Sequence, residues 1–373
     1  MLKKVDNKKD LKRFIYYVKD LYKDNPHYIY PLFYVLYKEL SKEVLKEKNY
    51  TALLSLDKEG SIQGRLLYRF EINVKEGRKS CYFSYFDAID SPIVTKELFG
   101  FMEDDMIKNG VKHSEGSFTP YDPDNRRGVL INSFDQDPVI FTSYNMKYIP
   151  VLLENYGYIK KIDSFCVVPK INDKTIRRLK TLGNYFERKF NIDVDYIDFN
   201  NLDKEIDDIH LILSDADNEH IYQEIPSTEL IRSVAESLKL FLDKRIIRIA
   251  RERETGKPIG FCFCLLDFNQ VFKKLKGKVR PLRMLFLKKK ITKVRGMMQY
   301  VIPEYQGTGM IGYMYKKIFD EFEVMGITEF EAGTMMEGNE KPLASFKKFG
   351  GDISKIYRIY GKELNVWYNI YYK

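Results

Sequence analysis

Cysteine and histidine are scarce in this chain of 373 residues, four of each, and where they stand excludes more than their number does. Cys262 and Cys264 alternate inside the apolar stretch GFCFCLL, while Cys81 and Cys166 stand singly in strand-like sequence. None has the paired spacing of a disulfide framework, so all four read as core thiols. His27, His113, His210 and His220 are scattered without a partner at ligand spacing, which argues against a metal site. No apolar run approaches membrane-spanning length, and the opening MLKKVDNKKDLKRF is charged throughout, unlike a signal peptide, so a cytoplasmic location is expected.

Acid is missing from one long stretch. KKLKGKVRPLRMLFLKKKITKVR, residues 273–295, holds eleven Lys and Arg and no Asp or Glu. The chain has 62 basic and 53 acidic residues, net +9, so the remainder carries 51 against 53 and the whole basic excess lies in this segment. Leu282, Met284, Leu285, Phe286 and Leu287 sit in its middle. The segment therefore reads less like a nucleic-acid arm than like a loop for peripheral contact with an anionic membrane, the alternative being a lysine-rich hairpin that is simply solvated.

What is present in quantity is core-forming sequence: 44% apolar residues, 14% of the chain aromatic, and a length that exceeds one ordinary core. One order of elements occurs twice. In the first half, helix FYVLYKELSKEVL precedes a hairpin around KEGS, strand SCYFSYFDAI, helix TKELFGFMEDDMIKNG, strand HSEGSFTP, helix KYIPVLLENYG and strand YIKKIDSFCVV. In the second half, helix STELIRSVAESLKLFL precedes strands KRIIRIARE and IGFCFCLLD, the basic segment, strand GMMQYVIP, a helix, strand ITEFEAG, helix EKPLASFKKF and a closing strand pair over 353–371. The expected fold class is mixed α/β in two tandem domains, 1–169 and 170–373, divided near Pro169.

The most pointed local feature is VIPEYQGTGMIGYMYKKIF, residues 301–319. Pro303 stops an apolar strand, Gln306-Gly307-Thr308-Gly309 allows a tight turn, and Ile311, Tyr315, Ile318, Phe319 and Phe322 then recur at helical spacing. The free N–H groups and positive dipole end of that helix suit a phosphate or diphosphate, the alternative being an ordinary connector. A P-loop is excluded because no Lys-Ser/Thr follows the glycines, and a dinucleotide fingerprint because the third glycine is missing.

Strand, Q-G-x-G, helix, strand, and a Glu-x-Asn ahead of a second helix ending in K-x-G resemble the coenzyme A-binding half of the GNAT superfamily of N-acyltransferases. Over nearly the full chain, DFNQVFKKLKG, VIPEYQGTGMIGYMY, EAGTMMEGN and FGGDISKIYRIYGKEL, with PYDPDNRRGVLINSFDQDPVIFTSYNMKYIPVLLENYGY before them, are similar to a little-characterised bacterial family of tandem GNAT proteins. The resemblance implies acetyl-coenzyme A or a longer acyl-coenzyme A as co-substrate. Its diphosphate would lie on Gln306, Gly307, Thr308, Gly309 and Met310, with Val301 and Ile302 on the strand that pairs with the pantetheine arm and Asn339 touching that arm. Ile311 departs from the pattern, which has Gly or Ala there.

The resemblance also implies direct acyl transfer to an amine. The tyrosine acid common in such enzymes is replaced by Phe346, leaving Glu331 and Glu337 as candidate catalytic carboxylates, with a buried acid holding the strand end as the alternative for either. Asp267, Asn269 and Gln270, just past the cysteine strand, are candidates for the amine pocket or for capping the basic insertion. The first half lacks the glycine turn: FDAIDSPIVTKEL has no glycine, so its expected task is to complete the substrate groove for a small-molecule or lipid-like amine. Tyr144, Asn145, Tyr148 and the run Asp122–Arg127 are candidate contacts there, with packing and turn chemistry as the alternative. Two other functions stay open: transfer from aminoacyl-tRNA, and a degenerate GNAT-fold binding protein.

Overall fold

Long-range strand pairing decides how the chain divides. A computed structural model describes residues 1–73, 76–118, 127–216, 225–239, 241–348 and 350–364. Its first compact unit comprises Met1–Ser164, Asn269–Arg283 and the chain from Lys355, and its second comprises Phe165–Phe268 and Met284–Ser354. The first cut falls close to Pro169, but the chain returns to the first unit twice, so the units interleave where two consecutive domains were expected.

Strands of the first unit are β1 (Leu2–Lys4), β2 (Thr51–Leu56), β3 (Ile62–Asn73), β4 (Arg78–Ala88), β5 (His113–Gly116) and the short β6 (Val129–Leu130). The unit boundary falls inside β7 (Ile159–Val168). The second unit carries β8 (Ile192–Tyr196), β9 (Ile247–Glu252), β10 (Pro258–Leu266), β11 (Lys293–Val301) and β12 (Glu329–Met336). Last comes β13 (Asp352–Glu363), whose end pairs antiparallel with β5, Tyr360 against Gly116 and Glu363 against His113. That pairing, which joins residues far apart in sequence, carries the C-terminal strand back into the first unit.

In the first unit the order β1-β2-β3-β4-β5 is antiparallel until β4 and β5, which run parallel. A parallel pair needs a crossover, and the helix Pro92–Lys108 supplies it. It starts cleanly because the Ser91 hydroxyl accepts from the Val94 N–H and Pro92 has no N–H to strand. Leu98, Phe99 and Met102 of this helix join Leu53, Leu66, Phe83 and Tyr158 in one core, while Leu11, Phe14, Ile15 and Leu36 form a second with Leu54 and Leu67. Alternate residues of β2 and β3 thus face two cores, which explains their near-continuous apolar sequence.

A buried ion pair ties that second core to the sheet. Arg65 on β3 donates through Nε and Nη2 to Oδ2 of Asp87 on β4 at 2.9 and 2.6 Å, while the Tyr22 hydroxyl donates to Oδ1 at 2.6 Å. Arg65 Nη1 reaches the Phe14 carbonyl at 2.7 Å.

The second unit places β12-β11-β10-β9-β8 in order, with the Phe165–Val168 end of β7 beside β12. Again one pair, β11 and β12, is parallel, and the helix Met310–Phe319 provides the crossover. Tyr315 and Phe319 of that helix pack with Phe330 and Phe346 at ring separations of 5.2 to 6.2 Å. All four cysteines are buried thiols. Among the described residues no helix is long and apolar enough to cross a membrane.

The basic segment differs from its expected loop or hairpin. It forms the end of one helix, Asn269–Leu275, a second helix, Pro281–Lys288, and the start of β11. Gly277, at φ +76°, breaks the first helix and Pro281 opens the second.

Removing Asp87 leaves Arg65 charged and buried, a loss on the order of 3–5 kcal/mol. Urea titration of Asp87→Ala should show that loss; a change within 1 kcal/mol would mean the pair is not what ties the core to the sheet.

Candidate functional site

β11 ends at Val301, and within eight residues the chain has turned into a helix. Ile302 N–H closes onto the Ile259 carbonyl at 3.0 Å, a single helical turn over Pro303–Tyr305 follows, and Gly307 and Gly309 take φ of +74° and +99°. A side chain at either φ is strained, which is why the turn is built from glycine. Among the described residues, and apart from the chain neighbours, a Cβ at either position would meet no atom within 4 Å, so both glycines face open space. Gly309 is the N-cap of the helix Met310–Phe319, and no side chain caps it. The first intrahelical bond runs from Tyr313 N–H to Gly309 O at 3.0 Å, leaving the N–H groups of Met310, Ile311 and Gly312 at the tip. These are donors and a positive dipole end facing an open surface, the chemistry of an anion site.

Beside the turn, Gln306 Nε2 donates to the Val301 carbonyl at 3.2 Å and Lys341 Nζ donates to Gln306 Oε1 at 3.1 Å, which brings a cation to the same surface. One exposed helix tip is worth only about 0.3–1 kcal/mol to an anion, so the lysine and the several amides matter together.

The strand leading to the turn parts from its neighbour. Parallel register between β11 and β12 runs from Lys293↔Glu329 to Gly296↔Ala332, whereas the two strands continue to Val301 and Met336. On its other edge β11 keeps pairing with β10 as far as Val301↔Gly260. The result is a wedge beside Met297–Val301, ending at the uncapped helix tip.

No protein-family model matches the chain. It is 25% identical over 378 residues to the bacterial ceramide synthase of Caulobacter vibrioides (strain NA1000 / CB15N), spanning 95% of both proteins. It is 26% identical over 373 residues to the protein YghO of Escherichia coli (strain K12), spanning 96% of this chain and 94% of that one. A tandem GNAT protein from the clavulanic acid biosynthesis pathway superposes with a TM-score of 0.57 at 9% identity, over 97% of this chain and 98% of that one. The chain has the tandem GNAT fold.

Both GNAT-like units carry a buried glutamate at the same step of their parallel pair. Glu331 lies one residue before the last β11–β12 pair and Glu115 one residue before the last β4–β5 pair, and neither is more than 1% exposed. Glu331 accepts from Lys293 Nζ at 2.6 Å and from the Ser354 hydroxyl at 3.2 Å. Glu115 accepts from Lys161 and sits 2.5 Å from His113 Nε2. Burial pulls the Lys293 ammonium down, but the charge and hydrogen bond of Glu331, with Asp267 and Glu329 behind it, raise it above the ordinary lysine value. Because the first unit has this carboxylate without the glycine turn, the arrangement serves the strand pair in both units.

Glu337 and Asn339 lie together and exposed in the segment between β12 and the helix Glu340–Lys348. Of the two residues expected to pair with a pantetheine arm, Ile302 has its N–H on Ile259 and Val301 has its carbonyl on Gln306. The strand edge beside the wedge is instead the run just before them. Phe346, 3% exposed among Tyr315, Phe330 and their neighbours, is a core residue. Tyr315 offers no acid in its place, since burial pushes its phenol well up.

The candidate amine contacts belong to both units. Asp267, 4% exposed in the second unit, donates its N–H to the Lys293 carbonyl at 2.8 Å. Asn269 belongs to the first unit, where its Nδ2 donates to the Pro138 carbonyl at 2.8 Å, and Gln270 follows it half-buried. Asn145 is a backbone latch, accepting from Leu130 N–H at 2.8 Å and donating to Leu130 O at 3.1 Å. Tyr148 donates to the Ala88 carbonyl at 2.8 Å. Tyr144 lines an open cavity of about 370 Å³ in the first unit, with Asn25, His27, Phe134 and Met146. Of the run Asp122–Arg127, all but Arg127 lies outside the described residues.

Two residues escaped sequence reasoning. Lys341 sits inside the expected helix EKPLASFKKF, with nothing in the sequence linking it to the turn. Gln299 carries a buried Oε1 with no hydrogen-bond partner, on the stretch of β11 that borders the wedge. Its signal was legible, a single amide side chain in the apolar run GMMQYVIP.

Glu331→Gln should cost on the order of 3 kcal/mol because it strands the Lys293 charge, and Lys293→Met with Glu331→Leu should restore most of it. Thermal and urea unfolding of the two variants beside the wild type checks this; full stability in Glu331→Gln alone would show that the ion pair does not hold the strands.

Proposed function

We propose that the chain is an acyl-coenzyme A-dependent N-acyltransferase that forms an amide on a long-chain, amphiphilic amine, with one cofactor site, in the second unit. The observation that carries this reading is the uncapped helix tip at the Gly307–Gly309 turn, at the end of a strand that has parted from its parallel neighbour. A bound acyl-coenzyme A supplies an acyl thioester, whose C–S bond breaks as the amide C–N bond forms. The N–H groups of Met310, Ile311 and Gly312 receive the diphosphate, Gly307 and Gly309 let it approach the backbone, and Lys341 adds charge. The β11 edge beside the wedge offers backbone partners for the pantetheine arm, and Asn339 contacts that arm.

The incoming amine must shed a proton before it can attack. Glu337 takes that role, an exposed carboxylate two residues before Asn339. Gln299 Oε1 accepts an N–H of the amine and so orients it. The amine class follows the bacterial ceramide synthase relative: a ceramide is an amide of a long-chain amino alcohol, and that chemistry is what the reading carries to this chain.

A second reading has an observation behind it. Ile311 is half-buried on the first turn of the helix, where the family pattern has Gly or Ala, and Phe346 supplies no acid. These favour a protein that binds acyl-coenzyme A without turning it over.

Incubation with palmitoyl-coenzyme A and a sphingoid base, followed by thiol release and mass spectrometry of the amide, separates the two. Turnover is expected, with Glu337→Gln keeping cofactor binding but losing most of kcat and the low-pH fall in rate that protonation of a base produces. Cofactor binding without amide in the wild type would favour the second reading, and an unchanged Glu337→Gln profile would remove Glu337 as the base.

A further inference from the structure

We infer that the helix Pro281–Lys288 and its basic flanks form a docking surface for an anionic lipid bilayer. The helix turns one apolar residue inward, Leu287 at 8% exposed, and leaves Leu282, Leu285 and Phe286 at 85, 56 and 60%. At 100° per residue these three share one face, with Lys289 continuing it. Lys288 Nζ donates to the Leu242 carbonyl at 3.4 Å and fixes the inner side.

Charge then selects the occupant. Of the eleven basic residues, Lys293 and Arg295 are held within β11, Lys273 pairs with Asp137 at 2.6 Å, and Lys288 is anchored. Lys274, Lys276, Lys278 and Arg280 ahead of the helix's apolar trio in the chain, Arg283 within it, and Lys289 and Lys290 directly after the helix are exposed. Lys290 Nζ lies 4.6 Å over the Phe286 ring, so cation and ring occupy the same patch. An exposed apolar trio with Lys290 over its Phe286 ring and exposed cations on both sides of it in the chain is poorly matched to water or to nucleic acid, whose backbone offers nothing for Leu282 and Leu285 to enter. A bilayer with anionic headgroups satisfies both parts, the cations at the headgroups and the trio at the acyl boundary. A protein acting on amphiphiles gains from such a dock, yet the dock does not depend on the acyl-transfer reading.

Co-sedimentation with phosphatidylcholine vesicles, with and without phosphatidylglycerol, tests it, using variants whose circular dichroism matches the wild type. Binding is expected only with phosphatidylglycerol at low salt, weakened at least about tenfold at high salt. Lys289→Glu with Lys290→Glu should lose about tenfold or more, and Leu285→Ser with Phe286→Ser should also weaken binding. Acyl-transfer assays in detergent-free solution with short-chain substrates report the chemistry separately and should not change. Absence of wild-type binding at low salt overturns the proposal. So does vesicle binding insensitive to Leu285→Ser with Phe286→Ser, or a charge variant that instead loses binding to duplex RNA while the apolar variant does not.

Discussion

The parting of β11 from β12 after Gly296 and Ala332 is the constraint on which the rest of the second unit depends. Parallel strands need a crossover, and here the crossover helix starts immediately after the strand, so its uncapped tip arrives at the mouth of the opening that the parting creates. Two local choices complete it. Gly307 and Gly309 accept positive φ, and no Ser, Thr, Asp or Asn side chain occupies the tip, so the amides stay available to a ligand. Below the opening, the Glu331–Lys293 pair holds the strands together up to the point at which they separate.

The first unit shows what the same strand arrangement does without those choices. β4 runs on to Ala88 after its last parallel pair with β5, and a crossover helix follows. There, Ser91 caps the helix and Pro92 fills its first position, which consumes the donors that the second unit leaves open. Glu115 stays buried against Lys161 and His113, the counterpart of Glu331. The repeat keeps its strand-holding carboxylate and lacks the uncapped glycine turn, so the carboxylate does not depend on that turn.

Local features were legible in sequence and long-range ones were not. The glycine turn announced itself because positive φ after a strand leaves few residue choices, and most strands and helices followed from their periodicity. Interleaving of the units escaped because β13 pairs with β5 across more than half the chain, and no local pattern encodes that partner. Sequence left Glu331 open between a base and a buried acid holding the strand end, because its spacing says nothing of Lys293, 38 residues earlier, from which it accepts. Asn145 and Asn269 stayed open in sequence between a pocket and packing or capping, because an amide can also satisfy a backbone group, as both do here. The basic segment was read as a loop for its lysines, although Leu282, Leu285 and Phe286 already had helical spacing.

Calorimetric titration with free coenzyme A, comparing Gly309→Val with Gly60→Val, is the most direct test of the anion site. Gly60, in the first unit's β2–β3 turn, has φ +82° and the same open space around a Cβ, so both variants carry similar backbone strain, about 1–3 kcal/mol, and only one meets the ligand. One site per chain is expected for the wild type and Gly60→Val, and no measurable binding for Gly309→Val. Wild-type affinity in Gly309→Val would contradict the account.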